Sequence, residues 1–164
     1  MTPLRIRHRS TVGAAAALML VAALGVMHAS QAVTGQSVTA TAGKVVVIRT
    51  TGVELSYSVT TIRAKAGDTL TVRYDASTSE MAHNIVLLRG EADIQPVGVA
   101  ALAAHGTDYI PAGEMDRIVS HSALAYPGDT IEWTFVVPPP GTYPYICTFS
   151  GHFTMMQGRL ISTD

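Results

Sequence analysis

The strongest constraint on the fold of this chain is a run of metal-binding side chains near its C-terminus. The run extends from Cys147 to Gly158 and reads Cys-Thr-Phe-Ser-Gly-His-Phe-Thr-Met-Met-Gln-Gly. Cys147 is the only cysteine, and His152 and Met156 follow it at short intervals, while a second histidine, His83, stands far upstream. Two imidazoles, a thiolate and a weak axial thioether are the ligand set of a blue-copper centre. Such a centre requires a fold that brings His83 onto the C-terminal run.

The spacing of these residues resembles the ligand loop of the azurin branch of the cupredoxins, the small type 1 copper proteins of the plastocyanin/azurin family. That loop reads Cys-Thr/Ser-Phe-Pro-Gly-His-x-x-x-Met-x-Gly, and only Ser150 departs from it, because proline is usual there. The resemblance is close from Met81 to Leu160 and looser in the preceding strands. It implies one mononuclear type 1 copper ion, and the ligands that it implies are His83, Cys147, His152 and Met156.

The resemblance also implies roles for residues around the ligands. Asn84 matches the asparagine that ties the two ligand regions together by hydrogen bonds. Ala82 stands where glycine is usual, and the matching carbonyl group is a weak, distant axial ligand. An apolar patch around the exposed edge of the C-terminal histidine is the electron-transfer surface of azurins. The residues here best placed to form this patch are Met81, Phe149 and Phe153.

Each of these ligands has an ordinary structural interpretation when it is taken alone. A lone buried cysteine is usually an inert, small hydrophobic residue, and a methionine beside aromatic residues more often fills a core. His83 alone could be a buried histidine at the end of a strand. The coincidence of three ligand types at one spacing favours copper over these interpretations. Met155 lies one residue short of the register, so Met156 is the predicted axial ligand.

Residues 1–32 have the composition of a signal peptide. Three arginines give a positive start, residues 12–27 carry no charge, and Ser30-Gln31-Ala32 offers small residues before a cleavage site. The apolar run is short for a membrane span, which needs roughly 20 residues. We expect cleavage before Val33 and export of a single domain, residues 33–164, to the periplasm or beyond, without a membrane span. An uncleaved N-terminal anchor is the alternative.

Composition narrows the classes of partner. Without the three N-terminal arginines, eight basic and twelve acidic residues give a formal net charge of −4. A mildly acidic surface without basic clusters argues against a nucleic-acid partner. A single cysteine permits no internal disulfide, and metal ligation would protect an exported thiol from oxidation. The resemblance to azurins implies a monomer that works with redox proteins such as a cytochrome, a reductase or an oxidase.

Short apolar or β-branched segments alternate with Gly- and Pro-containing turns from residue 45 onwards. They predict strands near residues 45–48, 57–64, 70–74, 84–88, 119–122, 130–135, 142–147 and 158–161. This pattern is typical of an all-β, Greek-key β-sandwich, which is the cupredoxin fold, and the polar residues 33–43 are predicted to be a flexible lead-in. Between Glu91 and His105, the segment Ala100-Ala101-Leu102-Ala103-Ala104 favours helix. The resemblance identifies this segment as a short helical flap outside the sandwich.

The function implied is that of an exported blue copper protein that carries single electrons and is not an enzyme. His105 and His121 have no partner at metal-binding spacing, and we expect both to be surface or loop residues. A second copper centre, as in copper nitrite reductases or multicopper oxidases, is therefore not predicted. A copper carrier or storage protein is an alternative of a different class. A third possibility is a Cys147 nucleophile with a histidine base, although no residue is evident that would orient the base.

Overall fold

The computed structural model describes residues 35–43 and 45–164, and the predicted signal peptide lies outside these ranges. Nine strands occur along the described part of the chain: β1 (Gln36–Thr39), β2 (Val45–Gly52), β3 (Val59–Lys65), β4 (Thr69–Ser79), β5 (Val86–Leu88), β6 (Ile118–His121), β7 (Thr130–Val136), β8 (Gly141–Ile146) and β9 (Gln157–Thr163). One α-helix, α1 (Ile94–Ala101), follows β5. Short 3-10 segments lie at Glu91–Asp93, His105–Thr107, Ala112–Arg117 and Phe149–Thr154. No helix in these two ranges has the length and apolar character needed to cross a membrane.

The strands form two sheets that share one core, which confirms the predicted all-β sandwich. The larger sheet has the order β1-β3-β9-β8-β5-β6 and the smaller has the order β2-β4-β7. Three of the pairs, β1–β3, β3–β9 and β2–β4, are parallel, and the others are antiparallel. Apolar side chains from both sheets meet in one set of buried residues, the sandwich cluster. Its members include Ile48, Val72 and Trp133 from the smaller sheet and Ile62, Leu87 and Leu160 from the larger.

Strand β4 shows why these sequences form half-buried strands. Leu70, Val72 and Tyr74 alternate with outward residues, so one face of the strand enters the core. On the outer face, Arg73 lies opposite Glu132 of β7 and their side chains form an ion pair at 2.8 Å. Pairs of this kind add little stability at an exposed site.

The register of the larger sheet brings the two ligand segments together. Strands β5 and β8 are antiparallel, and Val86 lies opposite Ile146. Residues just before β5 therefore lie beside residues just after β8, which places Asn84 next to Thr148. Strands β8 and β9 pair as far as Ile146 and Gln157, so both ends of the intervening loop are adjacent.

Helix α1 covers a second set of buried residues, the flap cluster, on the larger sheet. Its members are Val86, Leu88, Ile94, Val97, Ile118, Ile146 and Phe153. Gly98 faces the Phe153 ring so closely that a Cβ atom at this position would overlap the ring. Arg117 bonds Asp93 at 2.8 Å and so fastens the start of the helix to the segment before β6.

Two predictions of secondary structure were wrong in part. Residues 36–39, predicted to be flexible, form the edge strand β1, which pairs with β3 through backbone hydrogen bonds and needs no apolar pattern. The helical flap is present, but α1 ends at Ala101, before most of the alanine-rich segment. Packing decides this difference, because the inward-facing residues begin at Ile94 and recur at helical spacing.

Candidate metal centre

Three of the predicted ligands meet at one buried point. The Sγ atom of Cys147 lies 3.7 Å from Nδ1 of His83 and 3.6 Å from Nδ1 of His152, and the two Nδ1 atoms are 3.2 Å apart. The point in the plane of the three atoms that is equidistant from them lies about 2.0 Å from each. This distance is close to the bonds of roughly 2.0–2.1 Å and 2.3 Å that zinc forms with imidazole nitrogen and thiolate sulfur. The three donors therefore fit one transition-metal ion. Among the described residues, no other group of three His, Cys, Asp or Glu side chains has such a geometry.

Burial disfavours the charged form of all three donors. Burial raises the pKa of the Cys147 thiol to about 12. Burial, and then the neighbouring His152, lower the pKa of His83 to about 4, and burial also lowers the pKa of His152. These shifts favour neutral imidazoles at neutral pH, and neutral imidazole is the form that binds a metal ion. A bound metal ion would take the place of the thiol proton.

The structure distinguishes the two methionines of the loop. Met156 is completely buried in the sandwich cluster, and its backbone carbonyl accepts a hydrogen bond from the Cys147 N–H at 3.1 Å. Met155 is 69% exposed. Only the Met156 side chain is thus enclosed with the three donors, and this favours Met156 over Met155 as the axial ligand.

His83 is positioned by the backbone rather than by a strand of its own. Its N–H and C=O groups form an isolated antiparallel bridge with Ala125, at 2.9 and 2.8 Å. The edge of its ring meets the ring of Tyr74 at a centroid distance of 6.4 Å. In the described ranges, Nε2 of His83 has no hydrogen-bond partner. The bridge and the aromatic packing together leave Nδ1 directed at Cys147 and His152.

Asn84 joins the two ligand segments, in the role that the resemblance implies. Its Oδ1 accepts a hydrogen bond from the Thr148 N–H at 2.8 Å, and its Nδ2 donates to the Thr148 hydroxyl at 2.8 Å. The backbone N–H groups of Asn84 and Phe149 donate hydrogen bonds to the Cys147 sulfur, and this partly offsets the effect of burial on the thiol pKa. The residues that follow His83 and Cys147 therefore bind each other and join the two ligand segments.

The ligand loop turns through two residues in the left-handed region. Ser150 has φ 29° and Gly151 has φ 86°. Proline is fixed near φ −65°, so the residue usual at position 150 in azurins could not adopt this conformation. The serine of this chain is compatible with the observed turn, although the left-handed region is unfavourable for a non-glycine residue.

The residues predicted for the surface patch do not all reach the surface. Met81 and Phe149 are half-buried at the end of the molecule that carries the ligands. Phe153 is 4% exposed and belongs to the flap cluster, so its inclusion in the patch was wrong. Its ring fills the space opposite Gly98 instead. Ala82, directly before the ligand His83, is buried at the end of the molecule that carries the ligands.

His105 and His121 are both exposed. Nδ1 of His121 lies 3.0 Å from the carbonyl oxygen of Ser122, and neither histidine joins a cluster of ligands in the described part of the chain. This arrangement agrees with their predicted position on the surface.

One neighbour of the centre, Tyr57, was not found from the sequence. Its hydroxyl group donates a hydrogen bond to the backbone carbonyl of Asn84 at 2.6 Å, and the side chain is completely buried. Burial first, and the proximity of Cys147 second, raise the pKa of the phenol well above its usual value. The sequence carries no local signal for this contact, since Tyr57 lies 90 residues before Cys147 in a segment that reads as an ordinary strand.

Comparisons with known proteins agree with this geometry. Residues 44–162 match the model of the copper binding proteins of the plastocyanin/azurin family. Auracyanin-A from Chloroflexus aurantiacus is 38% identical over 112 residues, which are 67% of this chain and 68% of that protein. An azurin from Pseudomonas fluorescens biotype C is 40% identical over 85 residues, which are 49% of this chain and 64% of that protein. The solved structure of auracyanin A, described as a "blue" copper protein, has a TM-score of 0.67 at 35% identity and covers 73% of this chain and 98% of that one.

Proposed function

Because the chain belongs to the plastocyanin/azurin family of copper binding proteins, we propose that it is an exported blue copper protein that carries single electrons between redox protein partners. The observation that carries the proposal is the triangle of His83 Nδ1, Cys147 Sγ and His152 Nδ1 beside the buried Met156. In this proposal those four residues are the copper ligands. In this proposal the chain is not an enzyme. The residues around the centre bind the copper ion, orient its ligands and shield it from solvent.

The copper ion would supply the one-electron Cu(I)/Cu(II) couple. The chain would keep the four ligands in place while the charge at the centre changes. His83 is bonded to Ala125 on both backbone groups, Cys147 to Met156, and Asn84 to Thr148. Ligands bound in this way move little, and a small movement lowers the reorganisation that accompanies electron transfer. Hydrogen bonds to the Cys147 sulfur and the axial ligand tune the potential.

Electrons would enter and leave through His152. This ligand is 7% exposed, whereas His83 and Cys147 are completely buried. Met81 lies two residues before His83, and Phe149 packs edge-on against His152 at a centroid distance of 5.1 Å. We propose that Met81 and Phe149, with the exposed Met155, form the apolar surface on which a partner docks. A small, weak interface suits redox partners, which must separate after each transfer.

Export is the proposed role of residues 1–32, which lie outside the described ranges. The positive start, the apolar run and the small residues before Val33 support cleavage and a periplasmic or extracellular location. N-terminal sequencing of the exported protein tests this proposal. A chain that still begins near Met1 would instead favour an anchored form.

The experiment for electron transfer compares two lysine variants of the copper-loaded protein. Met81→Lys should slow electron self-exchange and reduction by a partner, because a charge interrupts the apolar surface, while the spectrum and the potential stay nearly unchanged. Val136→Lys is the matched control, since Val136 is 62% exposed and pairs with Thr69 at the opposite end of β4. Equal rates in the two variants would place the docking surface elsewhere.

A copper carrier or storage protein is the alternative from another class. A carrier needs an open site that exchanges its ligands, and three of the four proposed ligands here are completely buried. Reversible bleaching and recovery of a blue colour through repeated reduction and oxidation supports the electron carrier. Rapid transfer of copper to a competing chelator without such cycling would support the alternative.

A further inference from the structure

Three buried tyrosines lie together beneath the metal centre. Tyr57, Tyr74 and Tyr145 are at most 1% exposed and belong to the sandwich cluster. The Tyr57 ring lies at centroid distances of 6.2 Å from Tyr74 and 5.4 Å from Tyr145. The pairs meet edge-on or tilted, which aromatic rings favour. Two of the three adjoin the ligands: the Tyr74 ring packs against the His83 ring at a centroid distance of 6.4 Å, and Tyr57 lies close to Cys147.

A buried hydroxyl group needs a hydrogen-bond partner, and each of the three has one. Tyr145 donates to the carbonyl of Val59 at 2.7 Å, and Tyr74 donates to the hydroxyl of Thr50 at 2.7 Å. Both partners belong to the scaffold. The partner of Tyr57 is different, because its hydroxyl donates at 2.6 Å to the carbonyl of Asn84, the residue that directly follows the ligand His83.

Asn84 is the residue through which Tyr57 can act on the centre. Its backbone N–H donates to the Cys147 sulfur, and its side chain bonds the backbone and hydroxyl of Thr148. The Tyr57 hydroxyl therefore fixes a residue that contacts both ligand segments. A second hydrogen bond at this residue limits how far its N–H can move away from the sulfur.

On the basis of the proposed copper centre, we propose that Tyr57 is a positioning residue whose hydroxyl group, by holding the Asn84 backbone, keeps the Asn84 N–H on the Cys147 sulfur and raises the reduction potential. The sign follows from charge. The reduced centre carries one more electron than the oxidised centre, so a hydrogen-bond donor at the sulfur stabilises the reduced form more. A weaker donor leaves more electron density on the sulfur and favours the oxidised form.

The test measures the potential and the thiolate-to-copper absorption band of the wild type, Tyr57→Phe and Tyr145→Phe. Both variants keep the ring and lose one buried hydrogen bond to a backbone carbonyl, so they are matched in their structural cost. Tyr57→Phe should have a lower potential and a band at longer wavelength, because the sulfur is more electron-rich. Tyr145→Phe should keep both values of the wild type while losing a similar amount of thermal stability.

An unchanged potential in Tyr57→Phe, or an equal fall in both variants, would overturn the assignment. Replacing Tyr57 by 4-aminophenylalanine, which retains a weaker donor at the same place, should give an intermediate potential. This variant also decides the question if Tyr57→Phe does not fold, since a wild-type potential with the weaker donor would contradict the proposal. A wild-type protein that never becomes blue with copper would refute the proposed function itself. A blue wild type whose potential does not change in Tyr57→Phe would refute only the role of Tyr57.

Discussion

The sandwich cluster and the flap cluster hold the ligand loop from opposite sides. Cys147 and Met156, the two ends of the loop, are buried in the sandwich cluster, whereas Phe153, in the middle, is buried in the flap cluster. His152 lies directly before Phe153 and, at 7% exposed, is the least buried of the four proposed ligands. The sulfur ligands therefore depend on the sheets, and His152 depends in addition on the packing of a helix outside them. We therefore expect changes in the sandwich cluster to affect the ligands at the two ends of the ligand loop. Changes in the flap cluster should affect how firmly the middle of that loop is held.

The largest effect is expected on the sandwich side, at Cys147. Cys147→Ser should abolish the intense blue absorption of the copper-loaded protein, because the absorbing bond is that between copper and the thiolate. Absorption spectra of the purified variant with added Cu(II) check this outcome. A blue band that survives the substitution would show that Cys147 is not a ligand. It would also contradict the claim that the sandwich cluster holds a ligand of the centre.

The two histidines should differ in how they respond to replacement. His83→Gly and His152→Gly should both lose the normal blue spectrum, since each opens one coordination position. Added imidazole should restore the spectrum of His152→Gly more readily, because His152 is 7% exposed and His83 is completely buried. Titration of both variants with imidazole makes the comparison. Equal restoration would mean that the His83 side is as accessible as the loop.

A matched pair of valines separates the two clusters in stability and in copper retention. Val72 in the sandwich cluster and Val97 in the flap cluster are both completely buried. Val72→Ala and Val97→Ala should each reduce the free energy of unfolding by roughly 2 kcal/mol, from lost burial and the cavity left behind. Only Val97→Ala should also speed the release of copper to a chelator, because it loosens the packing of Phe153 beside His152. Equal release rates would show that the flap does not support the loop.

The smallest effect is expected at the axial position. Met156→Leu should retain the blue colour and raise the reduction potential, because a weak donor that favours Cu(II) is lost. Met155→Leu is the control one residue away, and its exposed side chain should have little influence on the potential. Redox titration of the two variants compares them. A larger shift in Met155→Leu would reverse the proposed register.

The ligand set and the sandwich were predictable because they depend on local spacing and on alternation along strands. The alternation from Thr130 to Phe135 predicted a strand, and its apolar residues Trp133 and Phe135 are buried in the sandwich cluster. Strand β1 could not be predicted in this way, because its residues are small and polar and its pairing with β3 uses the backbone. The start of α1 was missed because Pro96 and Gly98 are poor helix formers, and the buried face of the helix outweighs that propensity.

Around the centre, the sequence could not indicate contacts between distant segments. Phe153 was assigned to the surface because it flanks His152, yet its ring lies against Gly98 of the helix. Tyr57 binds Asn84 across 27 residues, and nothing near either residue predicts that bond. Both contacts form because the two sheets and the flap bring distant side chains together. The spacing of residues in a motif does not predict such contacts.

The central claim is that the fold assembles one thiolate, two imidazoles and a thioether into a single centre for copper. Titration of the purified protein with Cu(II), followed by absorption, tests this claim most directly. We expect an intense blue band that saturates at one equivalent, bleaches on reduction and returns on reoxidation without a change of shape. A weak or absent band, or saturation at more than one equivalent, would contradict the claim.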